Sequence, residues 1–199
     1  AGKKRDPKRL SLARYASSFY TKGNNFDHAQ LTNVGLLRSG LLKRLESSTA
    51  ALIATLERLI LAHTAFLKGI ENGYVLIGDA LGDFVANDFD SFEEFFDQLD
   101  QGGLDQTERI DLFDVDALRK DVEGDVKLLK SFLQLAIVRN KRGPDAKVDR
   151  LLEKLEEVAK KASRPTKEDV SESERRKIIV FSTYSDTVKD LHKCVTVAI

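Results

Sequence analysis

The stretch KIIVFSTYSDT (Lys177–Thr187) sets Ser182, Thr183, Ser185 and Thr187 at the C-terminal end of a short β-branched run. In open parallel sheets ligands gather at that end of a strand, and hydroxyls there can bond a phosphodiester backbone without reading its sequence. Hydroxyl residues also cap helices, so both uses stay open. A second group is cationic. GLLRSGLLKRLESS (Gly35–Ser48) carries Arg38, Lys43 and Arg44 on or beside a strongly apolar helix. At about 100° per residue, Lys43 and Arg44 project away from the Leu42/Leu45 seam, where they can meet phosphates or acidic side chains of a neighbouring domain. A solvated basic face with snorkelling stems is the alternative.

Other chemistry is missing from the sequence. It contains no GxxxxGK[ST] loop, no GxGxxG and no GxSxG elbow, and its carboxylates have no recognisable partner for acid–base work. The single cysteine, Cys194, and the three histidines, His28, His63 and His192, lack the spacing of a zinc site, so no metal ligand is assigned. Asp88 and Asp90 hint at a calcium loop, but no glycine follows at the sixth position and Leu99 stands where the bidentate Glu belongs. No catalytic residue is assigned, and the chain is not expected to catalyse a reaction alone.

The elements that must position these residues are mainly helical. A chain of 199 residues with 42% hydrophobic and 32% charged residues can bury a core, and only three prolines lean it toward long helices. Leu42, Leu45, Thr49, Leu52, Leu56, Leu59, His63, Phe66 and Ile70 recur at threes and fours within 28–72, the seam of a long central helix. His63 on that face reads as a hydrogen-bonded core residue. A second helix is expected over Val115–Asn140, with Leu118, Val122, Val126, Leu129, Leu133 and Ile137 inward and Asp114 or Asp116 as cap. A third starts at Pro144 and buries Val148, Leu151, Leu152, Leu155, Val158 and Ala162. The fold class is therefore mainly α, an antiparallel multi-helix bundle followed by a truncated βα unit in which IIVF is a buried strand.

Residues 1–27 read as a basic arm and short helix, 28–162 as the helical domain, 163–176 as an exposed linker, and 177–199 as the first strand and helix of a further domain. Charge is uneven: residues 71–126 hold 17 acidic and three basic side chains, between basic segments at 1–14 and 127–150. Phe89, Phe92, Phe95 and Phe96 among those acids suggest a short acidic amphipathic helix. No run of about 18 apolar residues marks a membrane span, which gives a cytoplasmic expectation without membrane partners. The absence of methionine, where about four would be usual, suggests a fragment.

KIIVFSTYSDTVKDL resembles the segment that opens the second RecA-like lobe of superfamily 2 helicases and translocases, where an apolar strand ends in Phe and a hydroxyl residue ahead of an aspartate–threonine pair. Here those residues are Phe181, Ser182, Asp186 and Thr187. GLLRSGLLKRLESS is similar to a stretch between the two lobes of bacterial Swi/Snf-like helicase-related proteins, and GPDAKVDRLLEKL (Gly143–Leu155) to the helix before their second lobe. The resemblance implies a parent that hydrolyses ATP with Mg between two lobes and moves along nucleic acid, most simply double-stranded DNA. The phosphate-binding lysine, the acidic metal motif and the arginine finger of that family have no match in this chain, which leaves ATP and Mg to the remaining lobes of the parent. What the resemblance carries over is backbone contact for Ser182, Thr183 and Thr187 and a structural or interdomain role for Arg38, Lys43 and Arg44; Lys43 and Arg44 also stay candidates for backbone contact from their outward placement, and Phe181 and Asp186 for interdomain contact. A helical protein-interaction module that uses its acidic surface is the competing expectation.

Overall fold

Leucine- and alanine-rich runs with three- and four-residue apolar spacing drive most of this chain into helices. In the computed structural model the described residues are 9–23, 27–76, 107–141, 145–165, 170–182 and 184–198. The chain is mainly α, with one small antiparallel sheet. A 3-10 segment, Ala13–Tyr20, is followed by α1 (His28–Ser47), α2 (Thr49–Glu71), β1 (Tyr74–Leu76), β2 (Thr107–Arg109), α3 (Val115–Asn140), α4 (Ala146–Ala162), α5 (Glu172–Arg175) and α6 (Ser185–Ala198). The expected acidic helix, the calcium reading, Thr183 and Pro144 lie outside the described residues.

The single long central helix expected over 28–72 is instead two helices. Ser48 interrupts it: its N–H closes α1 on Arg44 O at 3.1 Å, and its hydroxyl accepts from Ala51 N–H at 3.0 Å to cap α2. A serine competes for backbone groups in this way, which apolar spacing does not register. The seam accordingly starts late. Leu42 is 64% exposed, whereas Leu56, Leu59, His63, Phe66 and Ile70 are buried. Helix α3 has the expected bounds and the expected cap, Asp114, whose Oδ1 accepts from Ala117 N–H at 3.2 Å. Helix α4 is capped by Asp145, which accepts from Lys147 N–H at 3.1 Å.

The IIVF strand does not form. Lys177–Ser182 joins no sheet, and Ile179 and Phe181 are 78% and 88% exposed rather than buried. A lone strand has no ladder partner for its N–H and C=O groups, so its β propensity alone does not make a strand. The helical half of the expected βα unit is present as α6. The expected linker contains a helical turn, α5, held by a capping box between Ser171 and Glu174.

The chain groups into two compact units, one of Ala1–Leu42 with Thr55–Leu135, the other of Lys43–Ala54 with Ala136–Ile199. The first is built around Ala62, Ala65, Phe66 and Ile70 of α2, packed with Val75, Leu76, Phe113, Leu118 and Val122. By length and composition alone α2 could cross a membrane, although the sequence reading found no such run. In this structure 39% of that apolar window is buried. Gly73 turns the chain out of α2 at φ +89°, a left-handed conformation that favours glycine, and β1 then pairs with β2 in the register Val75 to Glu108.

Within the same unit Leu12 is buried with φ 56°, a strained conformation for a residue with a Cβ. Asp125 holds it. This fully buried carboxylate accepts from Ser11 N–H at 2.7 Å, Ala13 N–H at 2.8 Å and the Ser11 hydroxyl at 2.9 Å. Two backbone N–H groups that flank a left-handed residue form a concavity for an anion, and Asp125 supplies it from α3. Arg38 secures the other side, donating from Nη2 to Leu10 O at 2.7 Å and from Nε at 3.1 Å.

Candidate functional site

The three stretches singled out in the sequence each send residues into the second unit, and there they meet. The Ser48 break turns the end of α1 into the start of α2 and leaves Ser47 and Ser48 at the corner. Helix α6 begins opposite, with Asp186 and Thr187 in its first turn. Arg44 Nη1 donates to Asp186 Oδ2 at 3.1 Å, and its guanidinium lies 4.1 Å from the Tyr184 ring centroid. Thr187 Oγ1 is 2.7 Å from Ser47 Oγ and 3.1 Å from Ser48 Oγ. From α4, Lys147 Nζ donates to Glu46 O. One corner thus gathers residues from 35–48, 143–155 and 177–191.

The geometry assigns different work to the residues named above. Thr187 is buried, and its hydroxyl is committed to the two serines. Arg44 is partly buried between a carboxylate and an aromatic face, an arrangement that a planar guanidinium makes better than an ammonium. Lys43 and Ser182 instead line an open groove of about 800 Å³ beside the corner, together with Phe181 and Tyr184. Asp186 has its charged partner in α1, Phe181 is exposed, and Arg38 belongs to the first unit, where it binds the Leu10–Ser11 backbone. Glu46, Asp145 and Asp190 also line the groove, so its charge is mixed rather than basic.

Tyr184, Ser47, Ser48 and Lys147 were not expected to take part. The Ser47–Ser48 pair, set after a long apolar helix and ahead of another, was a legible cap signal. Nothing in the letters links Tyr184 to Arg44, 140 positions upstream. No protein family, curated protein or solved structure gives a match to this chain.

The corner makes a direct prediction. Hydrogen bonds to charged groups contribute about 1.5–3 kcal/mol when shielded and less when wet, and the cation–π contact adds about 0.5–1 kcal/mol. Arg44→Ala should destabilise the second unit by about 1–2 kcal/mol. A double-mutant cycle with Asp186→Ala, read by urea unfolding, should give a coupling near 1 kcal/mol. Additive single effects would refute the pairing.

Proposed function

We propose that this chain is the helical region between the two ATPase lobes of a Swi/Snf-like, ATP-dependent helicase or translocase, and that the corner formed by α1, α2, α4 and α6 is its mechanical joint. The observation that carries this reading is the Arg44–Asp186 pair with its neighbouring Ser47–Ser48–Thr187 hydroxyl cluster. It joins the stretch that resembles the inter-lobe region to the stretch that resembles the start of the second lobe. The stacked guanidinium and the hydroxyl cluster tie the start of α6 to the α1–α2 corner, a contact that a lobe-positioning element would use.

Nucleic acid enters through residues that remain outward. In this reading Lys43 and Ser182, at the groove, touch the phosphodiester backbone of duplex DNA, while Arg44 and Thr187 act by holding the joint. ATP and Mg belong to the lobes of the parent. Among the described residues no group of three or more His, Cys, Asp or Glu is placed to hold a metal ion, and no residue of this chain is assigned to ATP.

The test is a fluorescence-anisotropy titration of labelled duplex DNA with this chain over a range of salt. Binding is expected at about 10⁻⁴ to 10⁻⁶ M, independent of sequence and falling steeply with salt. A protein partner retained after nuclease treatment, with no DNA binding at low salt, would overturn the proposal in favour of an interaction module.

A further inference from the structure

The first unit holds a cavity of about 870 Å³, within the range of small-molecule sites. Its walls come from the 3-10 segment, the start of α1 and the β1–β2 region. Arg14 lines it. The Arg14 side chain has one hydrogen bond among the described residues, Nη1 to the Tyr15 hydroxyl at 2.7 Å, and its guanidinium lies 4.4 Å from the Tyr15 ring centroid. Burial lowers its pKa from the ordinary arginine value, and no carboxylate pairs with it among the described residues. A guanidinium has five N–H donors in a planar fork suited to a carboxylate, and a withdrawn cation without a counter-ion is costly.

The rest of the lining narrows the ligand. Asn33 makes no side-chain hydrogen bond among the described residues, and Gln30 accepts from Ser18 N–H through Oε1, which leaves its amide donors for a guest. Leu112, about half exposed, provides apolar surface in front of the buried Leu76 and Phe113. Asp27 and Glu108 also border the space, and Arg14 is the single cation of the described lining, which suits one carboxylate. We propose that this cavity binds a small monocarboxylate with an apolar body, its carboxylate forked onto Arg14, its remaining acceptors met by Gln30 and Asn33, and its body against Leu112.

Benzoate is the probe, titrated by calorimetry at low salt, with neutral benzamide and inorganic phosphate as comparisons. Benzoate should bind in a one-to-one complex, benzamide at least about tenfold more weakly, and phosphate should not displace it. Arg14→Gln should abolish benzoate binding. Because that variant could also perturb folding, Asn33→Asp, at an exposed position, supplies the second arm: it should keep the unfolding transition and weaken benzoate by about tenfold through like charge. Equal binding of benzoate and benzamide, displacement by phosphate, no benzoate binding at all, or unchanged binding by a folded Asn33→Asp variant would each overturn the proposal.

Discussion

Asp125→Ala is expected to cost the first unit about 3–5 kcal/mol, the largest effect of any change considered for this chain. The substitution strands two backbone donors, Ser11 N–H and Ala13 N–H, and the Ser11 hydroxyl around a left-handed Leu12. Each buried donor left unmet costs about 1–3 kcal/mol, and the anion that compensated the strained turn is gone. Asp125→Asn should fall between wild type and alanine, since one acceptor oxygen remains and the charge does not. Urea unfolding followed by circular dichroism reads the difference. A loss under about 1 kcal/mol for Asp125→Ala would mean that the Ser11–Ala13 turn does not depend on the carboxylate.

Acid should act through His63. This side chain is fully buried, its Nδ1 lies 2.6 Å from Leu59 O, and its ring packs edge-on to Tyr15 at 5.8 Å. Burial, opposed by the Leu59 hydrogen bond and aided by the nearby Arg14 charge, pulls its pKa from 6.5 down to about 4. Among the described residues Nε2 has no hydrogen-bond partner, so a second proton would be placed where none of them accepts it. The sign follows from the depressed folded pKa: the unfolded chain takes up the proton first as pH falls. The stabilisation is thus complete above pH 6.5 and is lost progressively toward pH 4, by about 3 kcal/mol. Carboxylates titrate toward the lower end of the same window, so the informative quantity is wild type minus His63→Leu. That difference should shrink as pH falls from 7 to 4; parallel stability profiles would contradict the assignment.

Much of the helical layout was legible because it follows from spacing. Helix α3 has the expected bounds and Asp114 cap, and His63 is the hydrogen-bonded core residue that its position on the apolar face implies. Spacing failed where a polar side chain overrules it. Ser48 splits the expected central helix because its hydroxyl caps α2, and Asp125 occupies a core position that was given to Val126. In retrospect Leu118, Val122, Asp125 and Leu129 run at intervals of four, three and four, so an acid in the seam was visible as an anomaly. IIVF failed for the opposite reason. Its β propensity is real, but a strand is made by a neighbour, and among the described residues none pairs with it.

The candidate site was half legible. Arg44, Asp186 and Thr187 were singled out in separate stretches, and the structure brings them into one corner. Arg44 and Thr187, offered by the sequence for backbone contact, and Asp186, offered for an interdomain role, are each engaged by other side chains of the protein, because the sequence does not say which partners reach them first. Arg44 meets Asp186 and Tyr184, and Thr187 meets two serines. Lys43, one residue away from Arg44, keeps the outward place.

That contrast sets the most direct measurement of the proposed function: the duplex-DNA titration performed in parallel on wild type, Lys43→Gln and Arg44→Gln at several salt concentrations. The proposal predicts a negative slope of log K against log salt for wild type, a slope smaller in magnitude by about 1 for Lys43→Gln, and an unchanged slope for folded Arg44→Gln. Absent or salt-insensitive binding, or a slope that responds to Arg44 and not to Lys43, would contradict it.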